Sequence, residues 1–198
     1  MLKIYTCLAT EHDLRFVAVA ALLCLLSTST ALSLVERISN TAGWRRLAWL
    51  AVSSTVSGVG IWSTHFVALL GYAPHLETGY DLRETLGSLA IAILLFAAAY
   101  RLAAGGAPWA RIVGGAIAGL GVWVMHYLGM AAFRTEGVAV WDLPTVVATL
   151  VFGVGLGAFS FRFARTKAGR MRRLQTVLLF ALTVCGVHFA GMSALTIY

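Results

Sequence analysis

Three histidines, His65, His126 and His188, lie in otherwise apolar stretches, and each is followed by an aromatic residue: Phe66, Tyr127 and Phe189. Their spacings are 61 and 62 residues, which marks an internal repeat. A charged side chain within hydrocarbon costs about 2.5–3.5 kcal/mol on insertion scales, so an intramembrane ionisable residue marks a functional site by default. A lone membrane histidine serves as readily as a hydrogen bond between helices, but three in one register point to a shared site. Residues four apart share a helix face, which sets Met130 beside His126 and Met192 beside His188. Imidazole with thioether suits copper, Cu(I) above all, better than magnesium or calcium. Met125 is a sixth candidate ligand, although it is rotated about 100° from His126 and directed toward a neighbouring helix. Methionine also fills cores, so ligation and packing both stay open for Met130 and Met192. Three positions before the histidines stand Trp62, Trp123 and Cys185. The two indoles read as walls of the site or interface anchors, and Cys185 as a buried small residue or a further ligand. His12 and His75 fall in polar segments and read as solvated, with a possible part in capturing metal at the outer face.

The elements that must position these residues follow from composition. Apolar residues make up 60% of the chain and charged residues 12%, with a mean hydropathy of +0.84. A soluble domain carries roughly a quarter charged residues, so this is an integral membrane protein. Stretches near 16–35, 47–70, 85–102, 112–133, 144–163 and 174–197 are each long enough, at about 20 residues, to cross the hydrocarbon as helices. The ten-residue alternation of a membrane β-barrel is absent, and the expected fold is an all-α polytopic bundle.

Charge sets the orientation. Of the 15 Lys and Arg, 11 fall in three connections: Arg37, Arg45 and Arg46; Arg101 and Arg111; and Arg162, Arg165, Lys167, Arg170, Arg172 and Arg173. Glu11, Asp13, Glu77, Asp81, Glu84, Glu136 and Asp142 lie on the other side. The positive-inside rule makes the basic connections cytoplasmic and puts the N-terminus outside. The basic run at 162–173 reads as topology signal and anionic-lipid contact, not as a nucleic-acid groove. Glu11, His12 and Asp13 before the first apolar stretch, and that stretch's spanning length, argue against a cleaved signal peptide. Cys7, Cys24 and Cys185 form no CxxC pair and no disulfide framework.

The chain is then one domain, 1–198, of three helix pairs in the same orientation, near 16–72, 85–133 and 144–198. Such pairs are related by a pseudo-threefold axis along the membrane normal, which brings the second, fourth and sixth helices together. Counting about 1.5 Å per residue, the histidines stand roughly 20–27 Å from the cytoplasmic ends, within reach of the outer face. Gly58, Gly60, Gly114, Gly115, Gly119 and Gly121 are expected to let the even-numbered helices approach closely, and Gly153, Gly155 and Gly157 to serve packing.

With residues 124–130, Val-Met-His-Tyr-Leu-Gly-Met, the chain resembles the bacterial MHYT domain over nearly all its length. The second copy of the motif is complete at Met125, His126, Tyr127, Gly129 and Met130. The third has His188, Phe189, Gly191 and Met192 with Val187 at the first methionine position. The first has Trp62, His65 and Phe66, with Thr64 and Leu69 at the two methionine positions. The resemblance implies a sensory domain of the bacterial inner membrane that binds copper through His and Met and detects O2, CO or NO. It implies a cytoplasmic output partner, a cyclic-di-GMP enzyme or a kinase, and a seventh helix; neither is within these residues. All three histidines survive while half of the motif methionines are replaced, which favours a histidine-centred site. A sensor without its own catalysis is therefore the leading expectation. A copper-dependent membrane oxidoreductase, a metal carrier and a bis-histidine haem site are the competing ones.

Overall fold

A computed structural model describes residues 12–72, 78–135, 137–163 and 169–197. Among the described residues are six long helices: α1 (Leu14–Ser39), α2 (Gly43–Leu70), α3 (Leu82–Ala103), α4 (Pro108–Ala131), α5 (Leu143–Arg162) and α6 (Arg170–Ser193). Five of them are long and apolar enough to cross a membrane; α2 is the exception. Its length suffices, but Ser53, Ser54, Ser57, Ser63, Thr64 and His65 lower its hydropathy. Four of those hydroxyls are satisfied inside the helix, donating to the carbonyls of Trp49, Leu50, Ser53 and Gly60 at 2.6–2.9 Å.

The odd-numbered helices start alike. Asp13, Asp81 and Asp142 are their N-caps, and each carboxylate accepts a backbone N–H of the first turn, a cap worth about 1 kcal/mol. The even-numbered helices begin at Ala42, Ala107 and Gly169 without a side-chain cap, α4 with Pro108 in its first turn.

Residues 133 and 195–197, expected to extend the fourth and sixth helices, are strands instead. Strand β2 (Phe133–Thr135) pairs antiparallel with β1 (Thr78–Tyr80), and β4 (Leu195–Ile197) with β3 (Ala139–Trp141). An isolated bridge joins His12 to Tyr72 in the same sense. Each pairing ties the start of an odd helix to the end of its even partner: Asp13, Asp81 and Asp142 donate backbone N–H bonds to the carbonyls of Gly71, Ala132 and Ala194 at 2.8–2.9 Å. The ladders satisfy backbone groups that have left the helix, and they define a stranded end of the bundle. At the opposite, basic end lie Arg37, Arg45, Arg46, Arg101, Arg111, Arg162, Arg170, Arg172 and Arg173. There Arg173 donates to the Ser29 carbonyl (3.2 Å) and to Ser33 Oγ, joining α6 to α1.

The larger core cluster holds Phe96, Phe161, Phe180, Tyr100, Ile38, Ile61, Val122 and Met125. Its aromatic rings lie 5.6–6.3 Å apart between centroids. A smaller cluster near the strands centres on Leu69, Met130 and Met192.

The glycines depart from the expected pattern. A Cβ on Gly119 would strike the Gly153 carbonyl, and one on Gly115 the Gly157 carbonyl, so these positions bring α4 onto α5. Gly58 and Gly121 face Ile93 and Leu95 of α3, Gly114 faces Ala99 and Ala103 of α3, and Gly60 faces Ser27 of α1. The glycine-rich surfaces thus bring even helices onto odd ones. The close approaches at the histidines come from two other glycines.

Candidate metal centre

His65, His126 and His188 each stand five residues before the last residue of their helix, which places them at one level. Their side chains are 2%, 1% and 5% exposed, and their rings meet edge-on with centroids 5.0–5.4 Å apart. The Nδ1 atoms converge: His65 to His188 at 3.1 Å and His126 to His65 at 3.3 Å. All three histidines present ligand nitrogens within 4.8 Å of one another. Nitrogens held about 2.0–2.1 Å from one ion at tetrahedral angles stand roughly 3.3–3.4 Å apart, so the observed spacing fits a shared ion.

The Nε2 atoms of His65 and His126 are walled by backbone. A Cβ on Gly129 would come within 2.6 Å of His65 Nε2, and one on Gly191 would fall on the His126 ring. The corresponding position in the first repeat is Ala68, which is buried. None of the three Nε2 atoms has a hydrogen-bond partner among the described residues. A buried, unsatisfied polar group costs about 1–3 kcal/mol, and a packed core without a further role would be better served by apolar side chains.

The methionines divide. Met130 and Met192 pack with Leu69 into the buried cluster, each four residues on from its histidine, on the stranded side of the three rings. Met125 is buried in the larger core cluster, yet it lines a cavity of about 40 Å³ together with all three histidines. Thr64 and Val187, its counterparts, are buried as well, and the Thr64 hydroxyl is spent on Gly60.

Neither tryptophan lines the histidine cavity; both pack between helices. Trp62 lies tilted against Phe66 with ring centroids 4.8 Å apart and donates its indole N–H to the Thr85 carbonyl at 3.1 Å. Trp123 lies tilted against Tyr127 with ring centroids 4.8 Å apart and donates to the Val146 carbonyl at 3.2 Å and to Thr149 Oγ1 at 3.3 Å. The Tyr127 hydroxyl also bonds Thr149 Oγ1, at 2.9 Å. Cys185 is half-buried, lines the histidine cavity and meets the Cys24 thiol of α1.

His12 corrects the expectation of a solvated side chain. It is 6% exposed, and its ring lies 6.1 Å from that of His188, 5.5 Å from Phe189 and 5.3 Å from Tyr72. Tyr80 and Trp141 hold the corresponding places over Phe66 and Tyr127, at 5.6 and 5.5 Å. Burial pushes the Tyr80 phenol up from its ordinary pKa, so it remains a neutral cap. The signal was available in sequence: His12-Asp13-Leu14, Tyr80-Asp81-Leu82 and Trp141-Asp142-Leu143 are one ring-Asp-Leu motif three times over. His75 lies outside the described residues.

The sequence profile of MHYT, described as a bacterial signalling protein N terminal repeat, matches residues 58–116 and 119–177. An uncharacterised signalling protein of Caulobacter vibrioides is 40% identical over 98% of this chain and 24% of its own length. In Pseudomonas aeruginosa, the bifunctional diguanylate cyclase/cyclic di-GMP phosphodiesterase MucR is 32% identical over 94% of the chain and 28% of its own length. The cyclic di-GMP phosphodiesterase NbdA of the same organism is 34% identical over 91% of the chain and 24% of its own length. The chain spans about a quarter of the length of these curated relatives. No solved structure matches it.

Proposed function

The chain belongs to the MHYT family of bacterial signalling proteins, and on that premise we propose that it is a membrane-embedded sensory domain that holds copper on His65, His126 and His188. The observation that carries the reading is the convergence of three buried imidazole nitrogens at metal-binding separation. All three ligands are uncharged. The cost of burying an ion rises with the square of its charge, so this cage favours monovalent Cu(I) over a divalent ion. Met130 and Met192, in the adjoining layer, add soft thioethers within the same helices. Copper held there would supply a soft coordination position for a diatomic ligand such as O2, CO or NO.

In this reading all six helices span the bilayer of the bacterial inner membrane. The hydroxyls of Ser53, Ser54 and Ser57 in α2 are satisfied within the helix, which lowers the cost of inserting it. The basic residues gathered at the opposite end support a cytoplasmic side there by the positive-inside rule, with the stranded end and the N-terminus outside in this reading. Helix pairs α1–α2, α3–α4 and α5–α6 act in this reading as three repeats about an axis along the membrane normal, supported by the matching backbone bonds that close each pair at the stranded end.

The protein's own residues do the positioning. Gly129 and Gly191 let the imidazoles press directly on neighbouring backbone, so a change at the triad reaches α2, α4 and α6 together. A sensor must convert ligand binding into a population shift between packings, and rings wedged against backbone are a direct way to do so. The output in MucR and NbdA is turnover of cyclic di-GMP, and we assign the same class of cytoplasmic partner to this domain. Among the described residues no carboxylate lines the histidine cavity, which favours ligand binding over the proton-coupled chemistry of an oxidoreductase. The candidate ligands stand at adjoining levels, not along a path across the bundle, which disfavours a carrier.

The test is infrared spectroscopy of the purified chain loaded anaerobically with Cu(I) and exposed to CO. The reading expects a single carbonyl band that is lost in His126→Ala. A band that persists unchanged in that variant, or no band in copper-loaded wild type, contradicts it.

A further inference from the structure

The three repeats are not equivalent at the seam where an even helix meets the next odd one. At the α2–α3 seam the Trp62 indole fills the gap and bonds the Thr85 carbonyl, four residues beyond the Asp81 cap. At the α4–α5 seam Trp123 does the same with Val146, four residues beyond Asp142. The third seam joins α6 to α1. There Cys185 stands in the tryptophan's place, and the residue four beyond the Asp13 cap is Val17. A thiol is far too small to close the gap that an indole closes.

What remains is the cavity of about 40 Å³ that reaches the histidines. Its seam side is made by Val17, Ala20 and Ala21 of α1 and by Val184, Cys185 and Phe189 of α6. Val17, Ala21, Cys185 and Phe189 are all partly exposed on the outer surface of the bundle, a face that meets lipid if the helices span as proposed above, whereas the far end is closed by buried His65, His126 and His188. A water needs about 10–15 Å³ of such space and two to four polar partners. This space is larger and its lining is mostly apolar: beside the three imidazoles, only Thr64, whose hydroxyl is bonded to the Gly60 carbonyl, and Cys185 carry polar side-chain atoms among the described residues.

We propose that this third seam is a binding pocket for one small, uncharged, weakly polar molecule of diatomic size, open to the hydrocarbon of the bilayer through the gap that Cys185 leaves. Diatomic gases partition into hydrocarbon, so a mouth facing lipid suits them better than one facing water. That the pocket serves a copper-held sensor rests on the preceding reading; the pocket itself is formed by protein atoms alone. The asymmetry also explains why one repeat of three gives up its indole while its histidine is kept.

Xenon, a probe of apolar cavities, tests the pocket on the metal-free chain in detergent, with methyl chemical shifts of Ala20, Ala21 and Val184 as the readout. Wild type should show saturable shifts. Cys185→Trp restores what the other two repeats carry, with the Val17 carbonyl as acceptor, and should weaken xenon binding at least tenfold. Cys185→Ala removes the thiol and its contact with Cys24 but leaves the space, and should bind as wild type does. If Cys185→Trp does not fold, Ala21→Phe plugs the mouth from a partly exposed position of α1 and should give the same loss. Absence of shifts in wild type, or equal shifts in wild type and whichever plugged variant folds, overturns the proposal. Because the xenon measurement uses no metal, failure of the copper reading with intact xenon shifts leaves the pocket supported.

Discussion

Two layers of one bundle, built from the same helices, solve opposite problems. In the layer around Phe96, Tyr100, Phe161 and Phe180, rings pack on rings and most polar atoms find partners: Ser57 and Tyr100 share a 2.5 Å hydrogen bond, and Ser160 bonds the Gly157 carbonyl, while Thr28 Oγ1 alone is left without one among the described residues of this layer. Nearer the strands, three imidazoles occupy an equally buried level, with Nδ1 atoms turned on one another and the Nε2 atoms of His65 and His126 against backbone. The first layer leaves a single hydroxyl, that of Thr28, without a partner among the described residues, whereas the second leaves three ring nitrogens at one level. Stability should therefore reside in the aromatic layer and binding in the histidine layer, and substitutions can separate the two.

The largest stability effect should come from the aromatic layer. Phe96→Ala empties a fully buried site and should cost about 3–5 kcal/mol in reversible unfolding in mixed micelles, while the folded fraction keeps its copper stoichiometry. Loss of copper from that folded fraction would break the separation. Gly191→Ala comes next. Its new Cβ falls on the His126 ring, so overpacking should cost about 1–3 kcal/mol and copper affinity should fall at least tenfold. Alanine at Gly155, where a Cβ meets nothing within 4 Å, is the silent control. If both variants bind copper alike, the wedged-ring geometry is wrong.

Met130→Leu sharpens the comparison inside the site. Volume is nearly preserved, so stability should change by under about 1.5 kcal/mol, while Cu(I) binding weakens and Cu(II) binding does not, since thioether prefers the softer ion. Equal weakening of both states in a copper titration would remove the methionine from a redox-selective role. Smallest of all should be Glu84→Gln. Its ion pair with Arg134, 2.8 Å long and exposed, is worth about 0–1 kcal/mol, and copper content should be unchanged. A measurable copper loss there would mean that the stranded end controls the site.

Much of this separation is legible in sequence, for identifiable reasons. Repeat spacing and helical periodicity give the triad, because a 61-residue period and one residue's place on a turn carry over directly into level and face. The strands at residues 133–135 and 195–197 are not legible, since Phe133, Leu195 and Ile197 are as apolar as the helices they follow. The destination of a glycine surface is equally hidden: Gly115 and Gly119 predict close approach, but not that α5 is what approaches. His12 is missed for a different reason. Its neighbours Glu11 and Asp13 suggest solvent, whereas Asp13 is a helix cap and the residue before it is an inward ring, as at Tyr80 and Trp141. The serines of α2 are read as part of an apolar span, and only their bonds to the preceding turn show how such a helix tolerates them.

The central claim is that the histidine layer is the layer that binds. Elemental analysis of the chain purified without added metal, beside a variant with His65, His126 and His188 all replaced by Ala, addresses it most directly. The account predicts a single copper per chain in the wild type and almost none in the variant, with helix content by circular dichroism unchanged. Copper retained in full by the folded variant, or a wild type carrying none even after Cu(I) is supplied, would contradict it.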